Sequence, residues 1–205
     1  MDFERWKRLM NALGFGVCEE TFGALLKAYS EKHRYYHTDE HINAVLRHLD
    51  EVEVASHKIA EIELALWFHD AIYKPFSNTN ELDSANWASE FLTSNNAPLE
   101  IITNVHKLIM STVHTGMCDD EDEALMVDID LTILGASETT YEMFEQAIRK
   151  EYKRVPAVIY TKKRSDILRG FLERVRIYQN DYFHDKYEAQ ARKNMRQAVA
   201  MLSAR

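Results

Sequence analysis

His69 and Asp70 stand side by side at the end of the apolar run Leu64-Ala65-Leu66-Trp67-Phe68 and just before Ala71 and Ile72. A carboxylate in that setting is expected to be buried, and burying an isolated carboxylate is costly even after relaxation. A basic side chain, a set of backbone N–H groups or a divalent cation beside the neighbouring imidazole can hold the charge; only the cation accounts for both residues at once. Adjacent helical positions diverge by about 100°, so the pair converges on one ion only from the edge of a buried stripe. His41 lies upstream at a separation that suits two antiparallel helices joined by a turn around His57. Ile42, directly after it, marks that helix edge as one that meets the core, and His37, four residues earlier, shares its face on a continuous helix.

Asp128 and Asp130 repeat the problem of Asp70 inside Met126-Val127-Asp128-Ile129-Asp130-Leu131. Two positions apart they face directions about 200° apart, so one can join the dyad while the other caps a helix or pairs with a basic residue. Asp130 is the preferred ligand, with Asp128 left open. Glu81 and His114 are further candidates, as ligands to a second ion or as proton-transfer groups, against capping and a polar helix end. His37 and Lys74 are candidate substrate contacts, the lysine ammonium being suited to phosphate. The basic stretch Arg149, Lys150, Lys153, Arg154, Lys162, Lys163 and Arg164 reads as a solvated face or as a phosphate-facing rim. The acidic run Asp119 to Glu123 reads as a solvated helix start. His33, His48, His57, His106 and His184 lack the apolar surroundings of the dyad, and Glu188, Arg192 and Asn194 read as a packed polar network.

The elements that must position these residues are helical. Apolar residues recur at helical spacing in Phe3, Trp6, Leu9, Met10 and Leu13, which stop at Gly14-Phe15-Gly16, and again in Phe22, Leu25, Leu26 and Tyr29 after Thr21. Thr38 or Asp39 is placed to cap a helix bearing His41, Val45, Leu46 and Leu49. The next helix, from about Lys58, becomes apolar nearly all round and so is expected to be buried on most sides. After the loop Lys74 to Asn80, helices are expected from Glu81, after Pro98, around Asp128 to Leu131, from Thr140, from about Lys162 and from about Lys186. The sum is an all-α chain of about nine or ten helices, taken as one domain over residues 1–205.

Composition agrees. Six Gly and three Pro in 205 residues leave too few turns for a sandwich or barrel. A formal charge of −8 argues against a general nucleic-acid binder, so any phosphate must be met locally. Two cysteines make no disulfide framework, the charged N-terminus is unlike a signal peptide, and no apolar run is long enough for a membrane span. A cytoplasmic location is the expectation.

The order His41, then Trp67-Phe68-His69-Asp70, then Asp130-Leu131 resembles the HD-domain superfamily of metal-dependent phosphohydrolases. Tyr36 to Ile42, Asn80 to Ala85, Asp128 to Gly135, Glu151-Tyr152, Arg164, Arg174 and Glu188 to Asn194 resemble a bacterial subgroup of predicted HD phosphohydrolases, so the likeness covers most of the chain. The resemblance implies a helical HD bundle with His41, His69, Asp70 and Asp130 as ligands to a divalent ion, and a phosphate ester of a nucleotide or small metabolite as substrate. Mixed imidazole and carboxylate ligation suits Mn, Fe, Co, Ni, Zn or Mg. Two other readings stand beside it. One is a di-iron oxygenase, in which His37, Glu81 and His114 supply extra ligands; the other is a nucleotide-binding regulatory module without turnover.

Overall fold

A computed structural model describes residues 1–52, 58–114, 118 and 120–204. Among them are ten α-helices, one short 3-10 helix and no strand, as the all-α reading expects. The described residues form two compact units, Met1–Val127 and Asp128–Arg205, and the boundary falls inside one continuous helix.

The first unit is built around α4 (Ile59–Phe68), which α1 (Phe3–Ala12), α3 (Asp39–Asp50), α5 (Asn80–Ser94) and α6 (Leu99–Ser111) pack against. The sequence of α4 has no polar stripe, so burial on every side is the arrangement that hides it: Ile62 and Leu64 to Phe68 are all fully buried. Trp67 meets the Trp6 ring edge-on at 5.3 Å, and Phe68 stacks on Phe91 at 5.5 Å. Truncating either α4 aromatic to Ala would cost about 3–5 kcal/mol. Arg5 ties α1 to its neighbours, donating to Asp50 on α3 and Glu63 on α4. The second helix, α2 (Glu19–Tyr29), starts before Thr21, because Cys18 takes a left-handed conformation at its N-cap. Gly14, also left-handed at φ 76°, stops α1 as its sequence suggests.

The helix α7 (Glu121–Asp130) runs straight into a 3-10 helix, Leu131–Gly135, in place of a separate short helix around Asp128 to Leu131. The second unit adds α8 (Glu138–Glu151), α9 (Ala157–Glu173) and α10 (Asp181–Ser203). α8 starts two residues, and α9 and α10 about five residues, before the sequence suggests, because the turns in front of them set the start. Ser137 accepts from Thr140 N–H at α8, Asn180 accepts from Tyr182 N–H at α10, and Pro156 precedes α9. A polar network holds α10 down. Glu188 accepts the N–H groups of Ile177 and Tyr178; Arg192 donates to Glu188 and to the carbonyls of Leu172, Arg174 and Val175. Asn194 donates to the carbonyls of Leu134 and Ala136, both at 2.8 Å. The close approach of α10 to the 3-10 helix requires Gly135, since a Cβ there would lie 2.6 Å from Tyr187 Cβ.

Candidate metal centre

His41 sits in the first turn of α3, whose N-cap is Thr38, and is 5% exposed. His69 is the C-cap of α4 and 1% exposed, its N–H still bonded to the Ala65 carbonyl. Asp70 follows in the turn. The two Nε2 atoms are 3.2 Å apart, His69 Nε2 lies 3.0 Å from Asp70 Oδ2, and His41 Nε2 lies 3.4 Å from the same oxygen. His69 Nδ1 is 3.0 Å from the Leu66 carbonyl. A carbonyl only accepts, so Nδ1 carries the proton and, in the neutral ring, Nε2 presents its lone pair to the cluster. Asp70 also presents lone pairs. Burial alone would raise the Asp70 pKa; with protons in place of a cation at the Nε2 atoms, the charges on His69 and His37 and hydrogen bonds from His41 and His69 outweigh it and hold the carboxyl well below its usual range.

Lone pairs converging in a buried place suit a cation. Donors at roughly 2.1 Å from one ion, at tetrahedral or octahedral angles, are about 3.0–3.4 Å apart, which is the spacing found between these three atoms. Asp130, the last residue of α7, belongs to the second unit, and its place as a fourth ligand comes from the sequence pattern. The bond from His69 Nδ1 to the Leu66 carbonyl is the kind that orients a metal-binding imidazole.

Asp128 has a different task. It is fully buried and accepts the N–H groups of Gln179 at 3.0 Å and Asn180 at 2.6 Å, so it holds the segment that starts α10. Burial pushes its carboxyl up to about 6, against the lowering effect of those two N–H bonds.

The residues around the dyad are fixed by side chains that the sequence alone does not single out. Arg34, 5% exposed, donates from Nη1 to the carbonyls of Asp70 (2.7 Å) and His37 (3.1 Å) and from Nη2 to that of Ala71 (2.9 Å). Its guanidinium lies against the rings of Tyr29 and Tyr73. Tyr29 donates to the Trp67 carbonyl, and the Ser84 hydroxyl accepts from Ile72 N–H. The one available signal was composition: Arg34 lies in the aromatic and histidine-rich link from His33 to Thr38.

The other candidates fall into place as follows. His37 stacks on Tyr73 at 4.1 Å and adds to the field on Asp70. Glu81 lies in the first turn of α5, half-buried, and His114 follows α6 in a left-handed conformation; neither joins His41, His69 and Asp70. Lys74 is exposed, with its ammonium 3.8 Å from Asp83. In the basic stretch, Arg164 pairs with Glu145, and Arg149 donates to the carbonyls of Tyr152 and Val155. The acidic run is less solvated than expected: Glu123 is buried and pairs with Lys107, which also holds Asp120. Asp119 and His57 lie outside the described residues. His33, His48, His106 and His184 bond to Tyr73, Glu51, Ser89 and Asp185.

No protein family's sequence profile matches the chain, and no curated protein or solved structure does.

Proposed function

We propose that the protein is a metal-dependent phosphohydrolase in which His41, His69, Asp70 and Asp130 hold a divalent ion. The carrying observation is the convergence of two buried imidazole nitrogens and a half-buried carboxylate oxygen at 3.0–3.4 Å. Such an ion, when bound, polarises a phosphoryl oxygen and lowers the pKa of water toward neutrality. The Leu66 carbonyl keeps the His69 proton on Nδ1, so Nε2 stays a donor of electrons. Asp70, held ionised, accepts a hydrogen bond from an attacking water and orients it. His37, braced against Tyr73, is placed to bond a substrate oxygen beside Asp70. The substrate class, a phosphate ester of a nucleotide or small metabolite, follows from the resemblance to HD phosphohydrolases.

The test combines metal analysis of the purified protein with phosphate release over a panel of nucleotides and phosphate esters. The wild type is expected to carry about one equivalent of metal, the stoichiometry a single four-donor set supports, and to release phosphate from some members. Asp70→Ala is expected to lose metal and activity together while keeping its helical circular dichroism. Undiminished metal in Asp70→Ala, or no phosphate release from any member by metal-loaded wild type, overturns the reading.

A further inference from the structure

The second unit contains a cavity of about 510 Å³ between the facing sides of α8 and α10, a size ordinary for small-molecule sites. Its walls are mostly apolar: the rings of Tyr141 and Tyr160 with Ala198, Met201 and Leu202. It opens to solvent beside Met201, which is 56% exposed, and Gln146. None of this belongs to the metal centre.

The charges in the wall give the cavity a sign. Glu145 is matched by two hydrogen bonds from Arg164 and one from the Tyr141 hydroxyl, and Glu138 is matched by Lys193. Arg149 is held differently. Its guanidinium donates to two backbone carbonyls and lies 4.6 Å over the Tyr160 ring, so its partners are neutral groups. The one remaining wall carboxylate, Glu142, is exposed to solvent, where its field is weakened. Half-buried, the Arg149 charge is screened less.

The geometry points to a second ligand site here, for a small apolar-bodied monoanion whose chain lies along Tyr141, Tyr160, Ala198 and Met201 and whose carboxylate-type head faces Arg149. Charge complementarity selects the anion; the apolar walls select its body.

Octanoate is the probe, with octan-1-ol as the uncharged control and octyltrimethylammonium as the cationic one. Titrated into the full chain carrying ¹³C-methyl methionine, octanoate is expected to shift the Met201 methyl resonance saturably. Octan-1-ol is expected to bind about tenfold more weakly or worse, the scale of a charge-assisted hydrogen bond. Ala198→Phe, which fills the cavity, is expected to abolish octanoate saturation transfer. If that variant loses its helical circular dichroism, Gln146→Trp at an exposed wall position blocks the mouth instead. The proposal is overturned if octanoate leaves the Met201 methyl unmoved, if saturation transfer persists undiminished in the folded blocking variant, or if the alcohol or the ammonium binds as tightly as the anion.

Discussion

Asp128 and Asp130 are two positions apart on one helix and have different tasks: one accepts backbone N–H groups at the start of α10, the other is the proposed fourth ligand. Asp130→Asn is expected to strip metal from the protein with little effect on the unfolding midpoint of the metal-free form, as metal analysis and urea titration would show. Asp128→Asn is expected to leave metal content intact. The effect of that variant is on pH dependence. With a folded-state pKa of about 6, above the ordinary ~3.9, the native carboxyl keeps a proton that the unfolded chain releases. The stability this contributes is complete below about pH 4 and is lost as pH rises through 6; its scale is about 2–3 kcal/mol. Urea unfolding from pH 4 to 7 should therefore show a decline in the wild type that Asp128→Asn flattens. The dyad was legible in the sequence because a carboxylate inside an apolar run demands a partner. Arg34 was not, because it bonds to carbonyl oxygens of the main chain, and those leave no trace in residue identity.

Elements were legible where their packing is one-sided or total. The all-round apolar run of α4 announced a central helix, whereas α8 and α10 start on the caps Ser137 and Asn180 and α9 starts just after Pro156, so periodicity alone placed them late. The links between elements carry the testable consequences. Arg34 joins the segment before α3 to the turn after α4, and Arg34→Met leaves several carbonyls without their donor; a loss of about 3 kcal/mol is expected in urea unfolding. Lysine, with one compact ammonium in place of a planar fork, should restore only part of it. Gly135→Ala drives a Cβ against Tyr187 Cβ at 2.6 Å and its carbonyl oxygen at 2.8 Å. Because backbone cannot swing aside as a long side chain does, a drop of about 1–3 kcal/mol in thermal unfolding is expected.

At the scale of the molecule, few Gly and Pro and a helical periodicity were enough for the fold class. A metal bound only by the folded state adds stability by mass action, about 2.7 kcal/mol at a concentration a hundredfold above Kd. Adding a divalent metal should raise the melting temperature, a chelator should reverse the rise, and Asp70→Ala should remove the response. The continuity of α7 imposes one more condition. Leu125, Met126 and Val127 are buried where they are only because an unbroken helical screw counts residues up to them. A substitution within α7 changes one contact, but deleting a single residue such as Ala124 turns all three by about 100° and misdirects them at once. Insertions and deletions in Glu121–Val127 should thus be far less tolerated than exchanges, even at its exposed positions.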